Sequence, residues 1–127
     1  MEKKFATAIN CMDGRVQIPV IDWMKKKYFV EYIDMITEPG PVRILSEGND
    51  ISRLNSIRDR LEISIKKHAS NIVAIVAHYD CAGNPVEKET QLTQLKSAID
   101  RVKSWNMNVK VLGLWVNEHW NVEEIDK

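Results

Sequence analysis

Three side chains able to bind a soft or borderline metal ion stand at the ends of two apolar runs. Cys11 closes the run Phe5-Ala6-Thr7-Ala8-Ile9-Asn10-Cys11, and His78 and Cys81 follow Ile72-Val73-Ala74-Ile75-Val76-Ala77. Two thiolates and an imidazole favour zinc, and a set of only three protein ligands leaves a fourth position, the mark of a catalytic rather than a structural site. A plainer reading also stands: Cys11 and Cys81 as small buried apolar groups and His78 as a hydrogen-bonded loop histidine. Asp13 and Arg15 bear on that choice. A carboxylate buried two residues from a metal ligand must be paired or must coordinate, because an isolated charge is costly to desolvate. Arg15 offers it a bidentate partner from the same loop. As an exposed structural salt bridge the same pair would contribute little.

For these residues to meet, two strand ends must lie side by side. Residues 5–10 read as a first strand. A helix is expected over residues 18–28, with Pro19 in its first turn and Val20, Ile21, Trp23 and Met24 as its apolar face. Residues 32–37 read as a second strand, closed by Glu38-Pro39-Gly40-Pro41, a fixed loop that continues neither strand nor helix. From Asn49 or Asp50, either a competent N-cap, a long helix runs to about Ala69 with Ile51, Leu54, Leu61 and Ile65 on one face. Residues 72–77 carry no polar side chain on either face, as a central strand covered on both sides would. Asn84-Pro85 opens a further helix, with Leu92, Leu95, Ile99 and Val102 as its buried stripe, ending near Trp105. Residues 109–116 form a fourth strand, and residues 117–127 read as a loop with a short helical turn.

Alternating strands and helices with crossover-length connections define an α/β class: a small parallel sheet of about four strands, in the order 2-1-3-4, flanked by helices. In open sheets of this kind ligands bind at the C-terminal ends of the strands. Neighbouring strands lie roughly 5 Å apart, so Cys11, His78 and Cys81 would converge if strands one and three are adjacent.

The 127 residues are expected to form a single domain, residues 1–127. Eighteen basic against 18 acidic residues give no global attraction for nucleic acid or an anionic membrane. Lys25-Lys26-Lys27 reads as a solvated helix face. No apolar run approaches the roughly 20 residues of a membrane span, and Met1-Glu2-Lys3-Lys4 lacks the features of a signal peptide. A cytoplasmic location is therefore expected. With two cysteines and no secretory signal, a disulfide framework is not expected, although Cys11 and Cys81 could form a redox pair without zinc.

Cys11-Met12-Asp13-Gly14-Arg15 after the first strand and His78-Tyr79-Asp80-Cys81 after the third resemble the paired Cys-x-Asp-x-Arg and His-x-x-Cys signatures of β-class carbonic anhydrases. The resemblance spans residues 5–116. It implies that Cys11, His78 and Cys81 ligate Zn2+ and that Asp13, paired with Arg15, orients a zinc-held hydroxide that hydrates carbon dioxide reversibly to bicarbonate. In some members of that family the aspartate instead occupies the fourth position. The resemblance also implies a homodimer or higher homo-oligomer acting on a small molecule. Carbonyl sulfide or carbon disulfide hydrolysis and a catalytically weak or inactive zinc-binding module are the rival readings.

Three departures from the family pattern stand out. Met1–Lys4 leads directly into the first strand, where the family usually carries a helical arm used in dimerisation. The loop after the second strand is Thr37-Glu38-Pro39-Gly40 rather than Arg-Asn-Ala-Gly, so Glu38 would disfavour bicarbonate if it faced the site. Ala82 precedes Gly83, where the family usually has glycine directly. Beyond the motifs, His119 is expected as an exposed histidine, with a proton relay or second metal ligand as the alternative. His68 is placed to favour its helix dipole, Asp80 to cap its loop, and Trp105, Trp115 and Trp120 to serve as core or interface.

Overall fold

The computed structural model describes residues 4–125. Residues 1–3 and 126–127 lie outside that range, and with them most of the expected lead-in and the end of the expected tail. Strands β1 (Phe5–Cys11), β2 (Tyr32–Glu38), β3 (Ile72–His78), β4 (Lys110–Val116) and β5 (Val122–Ile125) form one sheet in the order β2-β1-β3-β4-β5. The first four pair in parallel, in the order read from the sequence. The fifth, which the sequence reading leaves as loop, joins antiparallel to β4, with Val116 opposite Val122.

Helices α1 (Gln17–Tyr28), α2 (Pro41–Glu47), α3 (Ile51–His68) and α4 (Lys88–Lys103) flank the sheet, and a single 3-10 turn, Gly14–Val16, leads into α1. Among the described residues, no helix is long and apolar enough to cross a membrane. Alternation along the strands sends side chains to two separate cores. On one face Ile9, Ile75 and Trp115 meet Leu45 of α2, Ile57 and Leu61 of α3, and Leu95 and Ile99 of α4. On the other, Ala6, Ala8 and Ala74 keep the strand surface low, and Val20 and Met24 of α1 fill the space above it. Ile9 and Ile75 are fully buried, and burial of such a side chain contributes about 1.5–3 kcal/mol.

Several element boundaries differ from expectation for local reasons. Pro41 does not extend a loop but occupies the first turn of α2, where its missing N–H costs nothing, after Gly40 turns the chain at φ 63°. Asp50 is the N-cap of α3, its side chain accepting from the Arg53 amide. The face of α3 turns on Leu54, Ile57, Leu61 and Ser64, and Ile51 of the expected stripe is 60% exposed. Helix α4 begins at Lys88 rather than at Asn84-Pro85, and Asn84, in the preceding loop, donates to Gln94 Oε1 at 2.6 Å. The expected apolar face of α1 narrows to Val20 and Met24, with Ile21 and Trp23 half-buried.

Candidate metal centre

Cys11 is the last residue of β1, and its register partner across β2 is Glu38. The turn that follows is tied back by two amides. Asn10, fully buried, donates from Nδ2 to the Val16 carbonyl at 3.1 Å and accepts from the Cys11 amide at 2.8 Å. Gln17 donates from Nε2 to the carbonyls of Cys11 (2.7 Å) and Asp13 (3.0 Å).

His78 ends β3 one residue later than the sequence reading places the strand end. On one side it pairs with Val116 of β4. On the other, β1 registers with β3 only as far as Ile75, so the backbone of His78 needs another partner. Gln91 of α4 supplies it: Nε2 donates to the His78 carbonyl at 2.8 Å, and Oε1 accepts from the His78 amide at 3.3 Å. Neither Gln17 nor Gln91 is singled out by the motifs. Gln91 was legible in principle as a polar residue four before Leu95, on the buried face of its helix.

The structure brings Cys11, His78 and Cys81 together: one ligand-capable atom from each lies within 4.8 Å of the others. The two sulfurs are 3.9 Å apart, and all three residues are buried. His78 Nδ1 lies 2.7 Å from the Tyr79 carbonyl, which can only accept. Nδ1 therefore donates that bond and carries a proton, which leaves Nε2 as the ring nitrogen open to a metal. That Nε2 is buried and has no hydrogen-bond partner among the described residues. A buried ring nitrogen with no hydrogen-bond partner, beside two sulfurs, is the expected signature of a metal ligand whose orientation is set by its other nitrogen. The donor set fits zinc.

Without a metal the cluster shares protons unevenly. The hydrogen bond from Cys81 pulls the Cys11 thiol well below its usual range against the opposing effect of burial, helped by His78 and by the backbone at Gly40 and Asp13. The same contact, with burial, pushes Cys81 up, opposed by the backbone amides of Asn84 and Gly83. Burial presses the His78 imidazole down, but the Cys11 thiolate and the Tyr79 carbonyl more than offset it, and the net shift is upward. In this loop, where Ala82 precedes Gly83, the backbone amides of Gly83 and Asn84 serve the Cys81 sulfur.

Asp13 and Arg15 form the expected pair. Arg15 donates from Nη2 to Asp13 Oδ2 at 2.6 Å and from Nε to both carboxylate oxygens at 3.1 and 3.2 Å, and its own amide donates to Oδ1 at 2.9 Å. These hydrogen bonds from Arg15 hold the Asp13 carboxyl at about 2. At neutral pH it is an acceptor only. Asp80, expected to cap its own loop, instead accepts from Arg15 with its side chain (3.3 Å) and its carbonyl (3.1 Å). Glu38 does not confront the site: its carboxylate pairs with Arg60 of α3.

The remaining candidates separate. His119 is exposed in the β4–β5 turn, its amide bonded to Asn117. His68 ends α3, as the dipole argument requires, and also contacts Asp34 at 2.6 Å and stacks on Phe5. Trp115 is core and Trp105 packs on it, whereas Trp120 lies against the Arg15 guanidinium.

The fold and the cluster together define an α/β protein with a metal-competent Cys-His-Cys group at the C-terminal edge of a mostly parallel sheet. A family model described as "putative carbonic anhydrase" matches residues 1–126, and the chain belongs to that family. Among solved structures, the carbonic anhydrase of Streptococcus mutans is similar with a TM-score of 0.62 at 14% identity, over 98% of this chain and 84% of that one. The β-carbonic anhydrase isoform I of Trichomonas vaginalis gives 0.59 at 16% identity, over 98% and 83%. The carbonic anhydrase from Glaciozyma antarctica gives 0.59 at 15%, over 95% and 81%. At these identities the likeness is one of fold. No curated protein matches the chain.

Proposed function

We propose that this protein holds zinc through Cys11, His78 and Cys81 and interconverts carbon dioxide and bicarbonate, with Asp13 and Arg15 orienting the nucleophile. The observation that carries the reading is the buried, partnerless Nε2 of His78 beside two sulfurs 3.9 Å apart. A zinc ion there would supply a Lewis acid that promotes ionisation of water, more weakly than in an all-imidazole site because two thiolates cancel its charge.

The chain's own contribution is then positional. Asp13, held ionised by Arg15, has no proton to give and accepts one hydrogen bond from a hydroxyl-bearing nucleophile, fixing where the attacking lone pair points. Tyr79 fixes the His78 ring through Nδ1, and Gln91 fixes the His78 backbone, so the imidazole has no free rotation to spend. Glu38, neutralised by Arg60, does not add a free negative charge that would repel bicarbonate.

Metal analysis of freshly reduced protein together with stopped-flow carbon dioxide hydration tests the proposal. One zinc per chain with hydration that disappears on chelation and returns with zinc is the expected result. One zinc per chain without hydration keeps the metal centre and overturns the reaction, and the same protein is then assayed with carbonyl sulfide and carbon disulfide. Absence of bound zinc overturns both.

A further inference from the structure

The guanidinium of Arg15 is held on more sides than the Asp13 pair requires. Nη1 reaches Asp80 Oδ2 at 3.3 Å, and Nη2 divides its two hydrogens between Asp13 Oδ2 and the Asp80 carbonyl. One face of the guanidinium lies 4.5 Å from the centre of the Trp120 ring. Asp80 stands between His78 and Cys81 in the chain, so Arg15 bridges the two loops that carry the metal-competent residues. Trp120 comes from a third element, the turn into β5.

That turn is built to hold the indole where it is. Asn117 Oδ1 accepts from the amides of His119 (2.9 Å) and Asn121 (3.1 Å), and the Trp120 amide donates to the Asn117 carbonyl at 2.9 Å. Asn117 Nδ2 is tied to Glu123 of β5 at 2.7 Å. Trp120 itself adopts φ 62°, and Asp80 φ 57°, both in the left-handed region that non-glycine residues enter only at a cost. The ring of Tyr79 meets Trp120 edge-on at 6.4 Å, which connects the turn again to the loop after β3.

Asp13 has two competing uses. It lies two residues from Cys11, its backbone already helps to stabilise the Cys11 sulfur, and an ionised carboxylate is itself a zinc ligand. Whatever fixes Arg15 therefore fixes which of the two Asp13 serves. We propose that Trp120, seconded by Asp80, is the positioning residue that keeps Arg15 docked on Asp13 and so holds the carboxylate away from the metal coordination place left by Cys11, His78 and Cys81. This rests on the metal reading given above, and it adds a role for the C-terminal hairpin, which carries no motif residue.

The test uses the full chain loaded with Co2+, whose sulfur charge-transfer and visible bands report the fourth ligand, and azide as the probe of an exchangeable position. Asp13→Ala supplies the reference in which no carboxylate can close the site. In Trp120→Ala the ratio of closed to azide-competent cobalt should rise about two- to fivefold over wild type, the change a partly exposed cation–π contact supports. Trp120→Phe should restore most of the wild-type ratio, and Trp120→Ala should have no effect in the Asp13→Ala background. Asp80→Asn, at an exposed position where asparagine tolerates the backbone, should shift the ratio the same way if Trp120→Ala fails to fold. Equal cobalt spectra and azide affinities in wild type, Trp120→Ala and Asp80→Asn overturn the positioning role alone. A shift that persists without Asp13 overturns it too, because the effect then does not pass through that carboxylate. Failure of the wild type to bind cobalt overturns the metal reading, and the positioning role falls with it.

Discussion

Gly83 and Gly40 meet backbone to backbone. A Cβ on Gly83 would stand 2.9 Å from the Gly40 nitrogen, and one on Gly40 would stand 2.9 Å from the carbonyl carbon and oxygen of Gly83. The backbone at Gly40 helps to stabilise the Cys11 sulfur, and that at Gly83 the Cys81 sulfur. The contact therefore sets the spacing of the loops on either side of the cluster.

Gly83→Ala should separate those loops. The atoms its methyl would meet include the Pro39 carbonyl carbon at 2.7 Å and the Gly40 nitrogen, and backbone cannot rotate aside as a side-chain tip can. A destabilisation of about 1–3 kcal/mol is expected, with weaker zinc retention against a competing chelator. Urea unfolding of the reduced, metal-free protein measures the first and competitive titration the second. Wild-type values for both would show that the loops adapt freely.

Cys81→Ser and Asp13→Ala should fail in different ways. Removing a sulfur ligand from the cluster should abolish zinc retention. Removing the carboxylate should leave one zinc per chain and lower carbon dioxide hydration about a hundredfold, the lower end of what a positioned proton-handling group contributes. Metal content and stopped-flow rates on the same preparations separate the two. Equal metal content and equal activity in both variants would defeat the assignment of roles.

Much of this arrangement was legible because the apolar runs are unambiguous. Residues 72–77 are free of polar side chains, and the strand they form is central, with only its first residue reaching beyond full burial. The order 2-1-3-4 is read from the alternation of strands and crossover helices, and the adjacency of strands one and three within it brings Cys11 to His78 and Cys81. What stayed hidden depends on pairing rather than on local pattern. Val122-Glu123-Glu124-Ile125 has no strand signal until β4 lies beside it. Trp120 reaches Arg15 because that hairpin closes, through the pairing of β4 with β5 and the backbone and side chain of Asn117. Pro41 reads as a breaker by type, yet its position after a left-handed Gly40 makes it a helix start. Glu38 reads as a hazard to an anion until α3 brings Arg60 to it.

Ser64 of α3 anchors a polar group at the opposite end of the sheet. Its hydroxyl lies 2.7 Å from Asp34 Oδ2, 2.6 Å from Thr7 Oγ1 and 2.7 Å from Ser70 Oγ. It has one hydrogen, and a carboxylate can only accept, so Ser64 donates to Asp34 and accepts from Thr7 and Ser70. Ser64→Ala leaves the hydroxyls of Thr7 and Ser70 without this acceptor, while Asp34 Oδ2 keeps His68, a cost of about 1–3 kcal/mol. Zinc content per folded chain should not change. Chemical denaturation with metal analysis checks both, and a loss of zinc at unchanged stability would contradict the separation of the two ends.

Tyr28, at the end of α1, makes the opposite prediction. Its hydroxyl is buried and has no hydrogen-bond partner among the described residues. Burial, with the nearby Glu124 charge, raises its pKa above the ordinary value of 10.0. Above pH 10 the unfolded chain loses this phenolic proton before the folded one does. The stability Tyr28 shows at neutral pH is therefore lost as pH rises through that range. Tyr28→Phe removes both the unmet hydroxyl and the titration while keeping the ring that packs edge-on against Trp23. The variant should be as stable as wild type at pH 7, or more stable by up to about 1 kcal/mol. Its stability should also fall less steeply between pH 10 and 11. Urea unfolding midpoints across that range measure the slope, and a variant clearly less stable at pH 7 with an unchanged alkaline limb would show that the hydroxyl is satisfied in solution.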